Sequence, residues 1–94
     1  MINDVVVVTG GASGIGAAIV GRILDAGGTV VALDVSADAA ARHRDNCGAH
    51  IERAHFRQVD VSDEQAVAEV VAGIEVGIGP ITGLVNSAGI GRES

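Results

Sequence analysis

Ninety-four residues form one domain at most, of a size that buries roughly 60–65% of its unfolded surface and so has a limited core. Hydrophobic residues make up 48% of the chain, with 14 Gly and one aromatic, Phe56, which argues against disorder and fits thin Ala, Val, Ile and Gly layers. A net charge of −6 without a local basic stripe argues against nucleic acid as a partner, and the single Cys47 excludes an internal disulfide.

No apolar run approaches the ~20 residues that span a bilayer, and Met1-Ile2-Asn3-Asp4 lacks the basic start of a signal segment. No membrane partner is expected. The chain reads as cytoplasmic, in keeping with its cysteine usage.

The first element is Val5-Val6-Val7-Val8, bounded by Thr9 and Gly10, a short strand apolar on both faces as in parallel sheets covered by helices. It runs into a glycine turn, Gly10-x-x-x-Gly14-Ile15-Gly16, and then into a helix predicted over Ile15 to Leu24. The glycines allow a sharp turn and close approach of a ligand to the backbone. The first helical turn has N–H groups without intrahelical partners and the positive end of the helix dipole, which together suit a phosphate or pyrophosphate. Gly27-Gly28 closes the helix, and Thr29 to Leu33 follows as a β-branched second strand ending at Asp34. A strand, a helix and a strand of these lengths make a β-α-β unit with parallel neighbours.

Asp34 lies 18 residues beyond Gly16, close to where dinucleotide-binding folds place an acid on the adenosine ribose. A strand-end Asp that caps the next helix is the alternative. Ser36 to Cys47 is predicted as a helix without a large apolar residue, and Asn46, Gly48 and Ala49 as a loop. Ala54 to Val59 is a third strand with Phe56 as its core residue. His43, Cys47, His50 and His55 are elements a transition metal could use, but they straddle a helix, a loop and a strand without a paired Cys motif. They read as surface or loop histidines, and no metal is assigned.

Asp60-Val61 precedes Ser62-x-x-Gln65, which has the form of a capping box. The helix it opens carries Val67, Val70, Val71, Ile74 and Ile78 on one face, with Glu64, Glu69 and Glu75 toward water. Gly77, Gly79 and Pro80 break it, and Ile81 to Val85 is a fourth short strand ending in Asn86-Ser87-Ala88-Gly89.

Together these elements predict an α/β unit of three layers with four parallel strands in the order 3-2-1-4. That is the N-terminal portion of a Rossmann-like, doubly wound sheet. Its ligand crevice lies at the C-terminal ends of the strands, where the first and fourth diverge.

Thr9-Gly10-x-x-x-Gly14-Ile15-Gly16 resembles the T-G-x-x-x-G-x-G fingerprint of short-chain dehydrogenases/reductases, and Asn86-Ser87-Ala88-Gly89 resembles that family's N-N-A-G, with Ser87 in place of the second Asn. With Asp34 and Asp60-Val61 between them, four such motifs in family order cover nearly the whole chain. The resemblance implies a dinucleotide held by Gly10, Ser13, Gly14, Ile15 and Gly16. It implies that Asp60 and Val61 meet the adenine, although Asp60 could instead be a turn former ahead of Ser62. Asn86 would tie the strand end to its neighbour, while Ala88 and Gly89 would close over the nicotinamide-side ribose. Asp34 followed by Val35, with Ser13 before Gly14, implies NAD over NADP.

The same resemblance implies an oxidoreductase moving hydride between NAD and an alcohol or carbonyl substrate, as a homo-oligomer when complete. By the resemblance, the family's catalytic Ser, Tyr and Lys lie beyond a point matching Ser94, and the Tyr and Lys cannot be here, because the sequence holds no Tyr and all its basic residues other than His are Arg. No catalytic residue is therefore assigned. Residues 1–94 read as an NAD-binding domain truncated before the catalytic part, and the isolated chain as inactive. A nucleotide-binding regulatory module would use the same pocket without turnover. A methyltransferase also carries an acid at the second strand's end, but the glycine turn and the N-S-A-G strand end argue against it.

Overall fold

The computed structural model describes residues 3–11 and 14–87. Its strands are β1 (Val5–Thr9), β2 (Thr29–Asp34), β3 (Ala54–Gln58) and β4 (Gly83–Asn86), and its helices α1 (Gly14–Asp25), α2 (Ala39–Cys47) and α3 (Glu64–Gly77). A short 3₁₀ segment, Gly48–Arg53, joins α2 to β3. The sheet is parallel throughout, in the order β3-β2-β1-β4. This is the Rossmann-like arrangement that the strand and helix spacing predicts.

The valines of β1 explain the layering. Val6 and Val8 share one apolar cluster with Val20, Ile23 and Leu24 of α1, Cys47 of α2 and Ala54 of β3. Val5 and Val7 share the other with Val31, Leu33, Val59 and Ile74 of α3. Alternate side chains of one strand thus feed opposite faces, and burial of each large aliphatic side chain contributes about 1.5–3 kcal/mol.

The end of α1 is a Schellman motif. Gly27 has φ 92°, its N–H donates to Leu24 O at 3.0 Å, and the Gly28 N–H donates to Ile23 O at 3.0 Å. Arg53 adds its guanidinium, donating to Leu24 O at 3.1 Å and Gly28 O at 2.6 Å, so a cation meets the negative end of the helix dipole.

Four expectations need correction. First, His43 is not a surface histidine, being only 2% exposed. With Ala39 and Cys47 it forms the buried stripe of α2 at i, i+4 and i+8, which supplies the face that the absence of large apolar residues seemed to deny this helix. Second, Phe56 is half-buried, its ring 5.9 Å from that of His43, and Ala54 is the buried residue of β3. Third, the Ser62-Gln65 box does not form, because Asp63 is the N-cap and its carboxylate accepts from Ala66 N at 3.1 Å. The Ser62 hydroxyl donates instead to Asp60 Oδ1 at 2.7 Å, and an ionised acceptor at the cap is the stronger partner for the helix N–H groups. Fourth, β4 starts at Gly83 rather than Ile81. Thr82 ends the approach by donating from N to Val5 O at 2.8 Å and accepting from Val5 N at 3.0 Å, and Ile81 packs on the α3 side of the core.

Burial holds the pKa of His43 below its ordinary value, with proximity to His55 adding to the effect, and burial followed by the charge of Arg57 does the same for His55. A histidine with a lowered folded pKa binds its proton more readily in the unfolded chain. Stability is therefore fully present above about pH 6.5 and lost as pH falls below it. Urea midpoints at pH 7.5 and pH 5 should show this loss, and His43→Leu should reduce the difference. An unchanged pH dependence in that variant would place the acid sensitivity elsewhere.

Candidate functional site

Because the sheet is parallel, the C-terminal ends of its strands share one edge, and the register fixes their order along it. Thr9 of β1 pairs with Leu33 of β2 on one side and Asn86 of β4 on the other, while Asp34 pairs with Gln58 of β3. Asn86, Gly10, Asp34 and, two residues past Gln58, Asp60 therefore follow one another from strand to strand. Three strand spacings make a row of roughly 14 Å, suited to an extended ligand.

At the centre of the row, Gly10 and Gly14 have φ 66° and 58°, a region that side-chain-bearing residues seldom adopt. Gly10 is tied down by donation from its N–H to Leu33 O at 2.7 Å. The turn then folds back so closely that a Cβ on Gly16 would overlap the Gly10 carbonyl and stand 2.7 Å from Ser87 Oγ. Gly16 is needed for contact within the protein, and that contact places the first turn of α1 beside the ends of β1 and β4. No acidic residue occupies this first turn, so nothing there opposes an anion. Ile15 is 54% exposed on the same turn.

The β1 and β4 ends are cross-linked by side chains. Thr9 donates from Oγ1 to Asn86 Oδ1 at 2.8 Å, and the buried Ser87 hydroxyl donates to Thr9 O. Asn86 does tie its strand end to the neighbouring strand. The hydroxyl of Thr9 and the small size of Ser87 matter to this junction, and neither signals that role in the sequence beyond its place in a motif. On the other side, the half-buried Asp34 accepts from Ser36 N at 3.3 Å. Asp60 is exposed and accepts from Ser62 N at 2.9 Å, so it does form a turn ahead of α3 whatever else it meets. Val61 is exposed next to it. A groove of about 410 Å³ opens between the end of β3 and α3, with Asp60, Gln58 and Val70 among its walls. Ser13, Ala88 and Gly89 lie outside the described residues.

The histidines and the thiol stand apart from this row. His43 lies 3.6 Å from Cys47 Sγ, whereas His50 is 3.1 Å from Asp25 Oδ1 and 2.9 Å from the Arg53 guanidinium. Burial pushes the Cys47 thiol above its usual range, which suits packing and not nucleophilic chemistry. Among the described residues no group of three or more His, Cys, Asp or Glu could hold a metal ion. No helix among them is long and apolar enough to cross a membrane.

The model of the short chain dehydrogenase family matches residues 4–94. The chain belongs to the short-chain dehydrogenase family. It is 39% identical over 84 residues to 2-dehydro-3-deoxy-L-rhamnonate dehydrogenase (NAD(+)) of Sphingomonas sp. (strain SKA58), covering 89% of this chain and 32% of that protein. It is 36% identical over 88 residues to an NADP-dependent (R)-specific alcohol dehydrogenase of Lentilactobacillus kefiri, covering 94% of this chain and 34% of the relative. The crystal structure of a short-chain dehydrogenase from Streptomyces avermitilis superposes with a TM-score of 0.76 at 31% identity, covering 86% of this chain and 29% of that one. The chain thus spans about a third of the length of its short-chain dehydrogenase relatives. Those relatives are oxidoreductases, and by name they include users of both nicotinamide cofactors.

Two glycines in α1 should respond to the same substitution in opposite ways. Gly16→Ala should destabilise the protein by about 1–3 kcal/mol, since the atom in the way is a backbone carbonyl. Gly21→Ala, which meets nothing within 4 Å, should stabilise it by up to about 1 kcal/mol. Thermal melts of the two variants check both signs.

Proposed function

We propose that residues 1–94 are the NAD-binding portion of a short-chain oxidoreductase that moves hydride between NAD and an alcohol or carbonyl substrate. The supporting observation is the glycine turn, closed on Gly16 and set at the N-terminus of α1, with a strand-end acid on each of the next two strands. Gly10, Gly14, Ile15 and Gly16, with Ser13, seat the pyrophosphate on backbone N–H groups. Asp34 accepts from the adenosine ribose hydroxyls, and Asp60 with Val61 receives the adenine. Asn86 holds the β1–β4 junction, where Ala88 and Gly89 meet the nicotinamide-side ribose. The bound cofactor supplies the hydride chemistry, and these residues supply its orientation.

The general acid/base that exchanges a proton with the substrate oxygen lies outside these 94 residues, which contain neither Tyr nor Lys. In this reading the complete protein is a cytoplasmic homo-oligomer and its substrate a small alcohol or carbonyl compound. The same lack of Tyr and Lys favours one alternative, a nucleotide-binding regulatory module without turnover.

Two measurements test the proposal. A 2′-phosphate about 5 Å from the Asp34 carboxylate would cost roughly 3 kcal/mol per unit charge at an effective dielectric near 20, before salt screening. NAD should therefore be preferred over NADP by up to a factor on the order of a hundred, and Asp34→Ala should narrow the gap. Equal affinity in the unsubstituted protein would remove Asp34 from its role. An assay of NADH formation with a panel of secondary alcohols should show no turnover by the 94-residue chain alone. Turnover would contradict the placement of the acid/base group.

A further inference from the structure

Asp34 is only as selective as the backbone around it is fixed. The peptide that follows Val35 is held from both ends. Its N–H, belonging to Ser36, donates to Asp34 Oδ1 at 3.3 Å, and its carbonyl, Val35 O, accepts from Gln58 Nε2 at 3.1 Å. Gln58 reaches it because Gln58 and Asp34 are register partners, each the last residue of its strand. The regular ladder has one rung left at this level, Val59 N to Asp34 O at 2.9 Å, and the Gln58 side chain supplies the next. The N–H and C=O of a peptide point in opposite directions, so this unit cannot rotate without losing both bonds. The bond on Oδ1 orients the carboxylate without using the acceptor capacity of its second oxygen.

We infer that Gln58 is a positioning residue for cofactor discrimination, acting through the Val35–Ser36 peptide to hold the Asp34 carboxylate in the orientation that accepts ribose hydroxyls and repels a 2′-phosphate. This rests on the assignment of Asp34 to the adenosine ribose. Without the Gln58 amide, Val35 O loses its restraint and the peptide is free to turn. The Ser36 N–H would then leave Asp34, which loosens the carboxylate and provides a backbone donor for the very phosphate that Asp34 excludes. Gln58 is exposed and touches neither ribose nor phosphate in this account, so its substitution leaves the core intact.

The test uses the protein at the full length its gene encodes, titrated calorimetrically with NAD and with NADP. Variants are Gln58→Met, which keeps length without a donor, Asp34→Ala, and the two combined. Gln58→Met should lower the NAD to NADP affinity ratio by about fivefold, the size of one hydrogen bond. In the Asp34→Ala background it should leave the ratio unchanged. A purely structural contribution would weaken both cofactors alike. An unaltered ratio in Gln58→Met, beside a collapsed ratio in Asp34→Ala, would overturn the role of Gln58 and leave that of Asp34 standing. An unaltered ratio in Asp34→Ala would overturn the ribose assignment and, with it, the inference drawn from it.

Discussion

The arrangement depends on a single crowded contact, the Gly10 carbonyl standing where a side chain on residue 16 would have to be. The turn after β1 and the β1–β4 junction are placed by that closeness. It brings the N–H groups that open α1 over the end of β1, and it allows Ser87, at the end of β4, to reach Thr9. With a Cβ at position 16 the first turn of α1 would have to retreat from the sheet.

Around that contact the structure divides its labour between faces and edges. The faces carry stability through the alternating valines of β1 and their partners on α1, α2 and α3. The C-terminal edge carries polar side chains that bond across strands, from Thr9 with Asn86 to Gln58 with the Val35 carbonyl. At the opposite edge Arg53, His50 and Asp25 clamp the end of α1. The layers are not equally covered. Ile74 is the sole buried residue of α3, Val76 is 91% exposed and Leu84 on β4 is 68% exposed, in a chain about a third as long as its relatives.

The parts of the fold legible in the sequence were those encoded by one kind of residue repeated locally. The valine run, the glycine turn, the Gly27-Gly28 stop and the apolar stripe of α3 each report a single local requirement, so strand order and layering followed. What was not legible depends on tertiary pairing. His43 is a core residue only because α2 lies against β3, where Phe56 meets it. The Ser62 box failed because Asp60 takes the Ser62 N–H and hydroxyl while Asp63 caps the helix one residue further on. Gly10, Gly14, Gly16, Asp34 and Asn86, which the structure gathers at the C-terminal edge, could be singled out from spacing, since the motif fixes their type. The bonds of Thr9 to Asn86 and of Gln58 to the Val35 carbonyl could not, because each joins residues far apart in the chain.

We propose that one dinucleotide lies along the C-terminal edge, across all four strand ends. Amide chemical-shift mapping of ¹⁵N-labelled protein during titration with NAD tests it most directly. The largest changes should fall on Gly10, Gly14, Ile15 and Gly16, with further changes at Asp34, Asp60, Val61 and Asn86. Residues of the opposite edge, such as His50, Arg53 and Gly28, should stay in place. Changes centred on that opposite edge, or none at the glycine turn at saturating NAD, would contradict it.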